Sequence, residues 1–378
     1  MDEQEEKSLG FKEIISALAV LVFIWGALWT GSRGLNLAIH SDLNGRGLTS
    51  AASDSNGRGN NVVSVSSAVG HKAPNIASGR GLTSAPTPPP AGEPAQKQTL
   101  TIIVGGDIML DRAIRKLGDS IGYENLFKDI TPLLKSVDLA VANLEGPITT
   151  YPSKTLLANG KTSKELTFTF APETVPALAE AGFTTFSLAN NHTANFGQEG
   201  LNQTRKFLKK ENLGYFGSPA NASSSALVIE KNGISIALVG YHAFGGGFED
   251  ILASIKRLND AGNFVIVMPH WGTEYAASAS AKLKSQAQAF VQAGAKAIIG
   301  AHPHVILEHE KIEGVPVFYS VGNLIIDQYF SPEVMKGNLV QMTLKKDSQG
   351  TSIDSIKIYQ TSIASKQGVA LVGEPVDF

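Results

Sequence analysis

The chain has 378 residues, a formal net charge of −2, eight histidines and no cysteine. This length allows one large domain or two ordinary ones. The near-neutral charge offers no basic field for nucleic acid or anionic lipid. The absence of cysteine excludes disulfides, a lipidated cysteine anchor and thiolate metal ligands, so any metal must be held by oxygen and imidazole nitrogen.

Residues 1–13 form a short, acid-rich tail with Asp2, Glu3, Glu5 and Glu6. Ile14–Thr30 is uncharged and apolar; as a helix it spans about 26 Å, near the lower limit for crossing a bilayer. Trp25 and Trp29 lie toward its far end, where interfacial aromatics are usual. A cleaved signal peptide and a buried helix are the alternatives. The acidic start and the poor cleavage sequence at Thr30-Gly31-Ser32 favour an uncleaved single-pass anchor. The positive-inside bias from Lys7, Lys12 and Arg33 is weak, and a single span before a long linker most simply leaves the C-terminal domain outside the cytoplasm. The expected location is therefore the cell membrane.

Residues 31–98 are rich in Gly, Ser, Asn, Ala and Pro, and too poor in bulky apolar residues to bury a core. They read as a disordered linker. A degenerate repeat recurs at Asn44–Ala51, Asn56–Gly59 and Ser78–Ala85, with units too short for a solenoid. Pro86–Pro94 stiffens the linker's end.

Residues 99–378 read as one folded domain. Leu100–Val104 is expected to be a buried strand, Phe127–Ser136 a helix and Leu139–Ala142 a strand. Pro172–Ala181 follows as a helix, Thr184–Ala189 as a strand and Gly200–Glu211 as an amphipathic helix. Asn232-Gly233 signals a hairpin between Ala226–Glu230 and Ile234–Val239. Helices over Ile251–Ala261 and Ala279–Ala293 alternate with strands Phe264–Met268, Ala297–Ile299 and Val315–Tyr319. Leu339–Leu344 and Ile353–Tyr359 form a closing hairpin. This alternation predicts a layered α/β domain with a mixed sheet.

Five polar clusters follow apolar runs: Gly106-Asp107, Asn143-Leu144-Glu145, Asn190-Asn191-His192, His270-Trp271-Gly272 and His302-Pro303-His304. Loops at the carboxyl ends of strands converge on one rim of an α/β sheet, where ligands bind. Asp, Glu, Asn and His gathered there have the ligand chemistry of a metal site. Gly105 and Gly106 let the backbone turn sharply and let a ligand approach Asp107. Glu145 after a buried strand needs a partner to offset desolvation. Asn191 offers a carbonyl ligand, and His192 beside it can act as a general acid. If His302 and His304 lie in an extended segment, both face one side. Glu274 and Tyr275 are placed at the mouth, Arg112 is a candidate for binding a phosphate or carboxylate, and Asn323 can shape the site. His242 and His309 have no supporting context.

Gly105–Arg112, Asn143–Gly146, Leu188–His192, His270–Tyr275, Gly300–Val305 and Tyr319–Asn323 resemble the motifs of the CapA family. That family comprises capsule and poly-γ-glutamate biosynthesis proteins, and in fold it resembles the calcineurin-like metallophosphatases. The resemblance implies a bacterial source and a four-layer α/β/β/α sandwich on a membrane tether. Its implied partners are the membrane, subunits of a poly-γ-glutamate synthase complex and an anionic polymer, with no nucleic acid. By motif, Asp107, Asn191, His270, His302 and His304 correspond to metal ligands and His192 to the general acid. Glu145 or Asn143 stands at the bridging position. The implied cofactor is one or two divalent ions of Mn, Zn or Fe.

Three departures stand out. Met109 occupies a position where phosphoesterases carry His, and Thr193 one where they carry an acid. Asn195 also stands where CapA relatives often carry Asp. Three readings follow: a component of envelope-polymer synthesis or export with a metal-binding cleft, an active metal-dependent phosphoesterase, and a non-catalytic scaffold for polymer or partners.

Overall fold

The computed structural model describes residues 98–156, 161–222, 225–364 and 367–378. The expected tail, the expected anchor and the linker up to residue 97 lie outside them. Among the described residues no helix is long and apolar enough to cross a membrane.

The chain opens with β1 (Gln98–Ile108), α1 (Arg112–Ile121), α2 (Thr131–Lys135), β2 (Leu139–Leu144), α3 (Thr174–Glu180) and β3 (Thr185–Ser187). It continues through α4 (Gly197–Lys210), β4 (Gly214–Phe216), β5 (Leu227–Lys231), β6 (Ile234–His242), α5 (Phe248–Asp260) and β7 (Phe264–His270). Then come α6 (Ala281–Ala293), β8 (Ala297–Ile299), β9 (His309–Ile312), β10 (Val315–Phe318) and β11 (Asn323–Ile325). The last strands are β12 (Lys336–Asp347), β13 (Gly350–Ile363) and β14 (Val369–Asp377).

These strands form two mixed sheets. The first has the order β14-β13-β12-β1-β2-β3-β4, with β11 added beside the end of β1. β1 to β4 run parallel, while β12 to β14 pair antiparallel. The second sheet has the order β5-β6-β7-β8-β10-β9, with parallel inner strands and antiparallel edges. Alternation along β1 serves two cores. Leu100, Ile102 and Val104 join an apolar cluster with Ile236 and Leu238 of β6 and Ile266 of β7. Ile103 joins a second cluster with Ile114, Leu134, Leu178 and Leu208 from α1 to α4. A third cluster packs Ile251, Ile255 and Phe290 of α5 and α6 against Val239, Val265 and Val267.

The expected strands and helices recur with shifted ends, and the closing hairpin turns over Asp347–Gly350. The expected helix over 127–136 is shorter. A 3₁₀ turn covers Tyr123–Leu126, and α2 begins only at Thr131, with Pro132 in its first turn. Proline lacks the amide hydrogen that a longer helix would need there. Helix α1 has no counterpart among the expected elements, and it buries Ile114 and Gly118. Strands β4, β9 and β11 are three or four residues long, and β14 is largely exposed. None of these carries a clear alternating signal.

The glycines before Asp107 serve a different purpose from the expected one. A Cβ on Gly106 would lie 1.8 Å from the carbonyl oxygen of Gly322, and one on Gly105 2.9 Å from Leu339. They admit neighbouring protein, so β11 can close against β1 beside Asp107. Gly106→Ala should therefore cost about 3 kcal/mol or more, because the obstruction is backbone and cannot rotate away. Urea unfolding of the purified protein checks this, and an unchanged midpoint would refute it.

Candidate metal centre

Asp107 lies at the end of β1 and is fully buried. Its Oδ1 accepts from Asn143 Nδ2 at 2.7 Å, and its Oδ2 accepts from the His302 amide at 3.1 Å. One carboxylate thus ties β2 to the loop after β8. Asn143 Nδ2 also donates to His270 Nδ1 at 3.2 Å. Its Oδ1 accepts from Asn190 Nδ2 at 3.1 Å, and Asn190 Oδ1 in turn accepts from the amides of His192 and Thr193. Asn143 and Asn190 are therefore hydrogen-bond supports behind the ligands. Of the two residues left open for the bridging position, Asn143 is committed to this network.

His270, His302 and His304 are buried, and their rings stand close together. The centroids of His270 and His302 are 4.7 Å apart, and those of His302 and His304 6.0 Å. His270 Nε2 lies 2.8 Å from Asn191 Oδ1 and 3.1 Å from His302 Nδ1. The extended His-x-His segment is not what forms. His302 has φ +95° and His304 φ +59°, both in the left-handed region that L-residues seldom occupy. A turn brings the rings together, and Asp107 and Asn323 hold it. Asn323 Oδ1 lies 2.9 Å from His304 Nδ1, and its Nδ2 donates to the His304 carbonyl. Such strain persists only where neighbours over-determine the backbone.

Glu145 follows β2 and is 1% exposed, yet neither carboxylate oxygen has a hydrogen-bond partner among the described residues. Its Oε1 lies 3.6 Å from His270 Nε2 and 3.8 Å from His304 Nε2. Ligand atoms of Glu145, His270 and His302 come within 4.8 Å of one another, as do those of Asp107, Glu145 and His304. Glu145 is common to both groups. A third group joins exposed Glu274 to His302 and His304.

Burial is the main cause of every shifted pKa here. It raises Glu145 well above the usual carboxylate range, helped by Asp107 and Glu274. It raises Asp107 too, with His304 opposing. It lowers His270 strongly and His302 to about 3, each reinforced by the other histidines. Neutral imidazoles and unpartnered carboxylate oxygens are what a divalent cation requires, so this donor set fits a metal. Oxygen and nitrogen donors suit Zn, Mn or Fe.

A cleft of about 320 Å³ lies beside these groups, lined in part by Arg112, Glu145, His192, Glu274, Tyr275 and His304. His192 reaches it from the loop after β3. Its ring lies 4.5 Å from that of Phe168, and its Nδ1 lies 3.1 Å from Asn195 Nδ2. Burial lowers its pKa to about 4, so in the metal-free protein it is neutral at pH 7. Met109 faces away, in the helix-side cluster, where its sulfur accepts from the Asp111 amide. Thr193 likewise turns inward, donating to Asn190. His309 is exposed and packs on Phe318 and Phe378, which belong to the apolar cluster between the sheets.

A model of the family described as "Bacterial capsule synthesis protein PGA_cap" matches residues 101–328, more than half of the chain. The chain is 32% identical over 279 residues to the capsule biosynthesis protein CapA of Bacillus anthracis, covering 68% of this chain and 66% of that protein. That match spans just under two thirds of the relative's length. Identity to the PGA biosynthesis protein CapA of Bacillus subtilis is 30% over 278 residues, covering 68% and 72%. This chain belongs to the PGA_cap family. The family is the one its motifs resemble. Among solved structures, the calcineurin-like phosphoesterase YfkN from Bacillus subtilis is similar at a TM-score of 0.46 and 16% identity, over 72% of this chain and 93% of that one.

The structure of this PGA_cap chain brings His242, which has no supporting context in the sequence, beside His270. Its Cα pairs with that of His270 across β6 and β7, and the two ring centres are 6.1 Å apart. The expected strand Ile234–Val239 stops short of His242, and the observed β6 runs on to include it.

Glu145→Gln is the sharpest check on the centre. Because the folded pKa of Glu145 is raised, the metal-free native state holds a proton there that the unfolded state releases above about pH 4. The native state therefore loses stability as pH rises from there toward the folded pKa. Metal-free Glu145→Gln should match the unsubstituted protein at pH 4 and exceed it by about 1–3 kcal/mol at pH 8. Added Mn²⁺ should stabilise the unsubstituted protein alone. Denaturant melts with and without chelator decide this, and a destabilised metal-free variant at pH 8 counts against it.

Proposed function

We propose that this chain is a membrane-anchored component of capsule or poly-γ-glutamate biosynthesis, with a divalent cation in its extracytoplasmic cleft. The observation that carries the metal reading is the Glu145 carboxylate, buried without a hydrogen-bond donor and shared between two ligand groups. The printed roles of the two Bacillus relatives support the biosynthetic setting. Three apolar clusters around two sheets support the four-layer α/β/β/α sandwich. The apolar run Ile14–Thr30 supports the anchor. Synthase subunits and the anionic polymer itself are the partners this setting supplies.

Asp107, Glu145, Asn191, His270, His302 and His304 would hold one or two ions of Mn, Zn or Fe. A bound cation would supply Lewis-acid polarisation and neutralise developing negative charge. Asp107 and Asn143 orient the histidines, and Asn190 sets the loop that carries Asn191 and His192. His192 is placed to hydrogen-bond a leaving oxygen in the cleft. Its position there also favours a second reading, a metal-dependent phosphoesterase.

The purified full chain should bind at least one Mn, Zn or Fe per molecule, and His302→Ala with His304→Ala should abolish this. Elemental analysis after reconstitution reads the outcome, and a metal-free chain would sink the metal claim. In its host, loss of the gene should reduce surface polymer, and the double variant should fail to restore it. Hydrolysis of a generic phosphodiester, lost in His192→Ala, would promote the phosphoesterase reading. Recovery of the full chain in the soluble fraction of host cells would overturn the anchor.

A further inference from the structure

Arg112 belongs to none of the potential metal groups, yet it lines the same cleft as Glu145, His192 and His304. It sits at the head of α1 with φ +53°, a conformation that needs external support. Asp327 supplies that support twice. Its Oδ1 accepts from Arg112 Nη2, and its Oδ2 accepts from the Ala113 amide at 3.1 Å. The guanidinium carbon lies 5.0 Å from the centre of the Phe168 ring. Nε is sealed from solvent without a partner. Nη1 is not sealed and has no hydrogen-bond partner among the described residues. The cation is thus fixed on one edge, stacked on one face, and open on the other edge.

We propose that Arg112 is the oxyanion-binding residue of this cleft, seating a carboxylate or phosphate group of the ligand through Nη1. The inference rests on the reading of the centre as a metal site, because Glu145, Glu274 and Asp327 line the same cleft and their carboxylates oppose an anion there. A divalent cation reverses that local balance, so oxyanion affinity rises when metal is bound. One free edge permits a single charge-assisted contact, which ranks oxyanions by charge and size and does not demand a planar group. The mouth continues in exposed Leu166, Tyr275 and Phe330, with the two aromatic rings edge-on at 5.2 Å. These side chains suit the aliphatic stem behind the oxyanion.

The test is calorimetric titration of the purified full chain, with and without Mn²⁺, against inorganic phosphate and against glutarate. At least one of the two should bind the Mn²⁺-loaded chain more tightly than the chelated one. Arg112→Gln should weaken that binding about 10-fold or more, with metal content unchanged. Arg112→Lys keeps a point charge and should recover part of the loss. Binding of glutarate alone identifies the carboxylate source, and binding of phosphate alone the phosphate source. Failure of both anions to bind, or equal binding by Arg112→Gln, overturns the proposal. Arg112-dependent binding in a chain that takes up no metal would leave the anion site standing and sink the metal reading.

Discussion

Glu145 imposes the constraint around which the rest of the centre is arranged. A carboxylate taken out of water without a donor costs several kcal/mol, and a fold retains such a group only where something offsets the cost. Here the neighbours are histidine rings, and the nearest two ring nitrogens approach the same oxygen. Burial makes the carboxyl harder to ionise and His270 and His302 harder to protonate. A bound cation would bring the Glu145 pKa down by attracting the carboxylate, and it would find His270 and His302 already neutral for coordination. Folding energy and metal affinity therefore meet in one group of side chains.

The two sheets supply the positions. β1 and β2 of one sheet and β7 and β8 of the other end at the same place, so four strand ends deliver Asp107, Glu145, His270 and the His302–His304 turn. Close approach of backbone at Gly106 lets β11 join β1 there and brings Asn323 up to His304. The two left-handed histidines are strained, and Asp107 holds the His302 amide while Asn323 holds the His304 carbonyl. Side chains around the ligands are mostly amides committed in both directions. Asn143 and Asn190 each donate and accept within the network, which fixes their orientation.

Much of this could be read along the chain. The apolar runs before each polar cluster marked β1, β2, β3, β7 and β8, because buried parallel strands leave a continuous apolar signal. Asn232-Gly233 marked the turn between β5 and β6 through its φ preferences. Helix α1 was legible as well, since Ile114, Leu117, Gly118 and Ile121 recur at helical spacing. Short β9 and β11 carry too few residues for a period to emerge. The His302–His304 pair was read as a site for a reason that does not hold. Extended alternation was expected, and a strained turn does the work.

Residue types and their order determined that this PGA_cap chain has an α/β domain with metal-ligating chemistry at its strand ends, because strand periodicity and donor chemistry are local properties. Only the tertiary structure decided which of Asn143 and Glu145 is left unpartnered, that Met109 and Thr193 turn away from the cleft, and that Asp327 holds Arg112. The Arg112–Asp327 pair joins residues 215 apart, and the Asn143–Asp107 bond joins residues 36 apart. Local sequence carries no record of which distant backbone will arrive beside a given side chain.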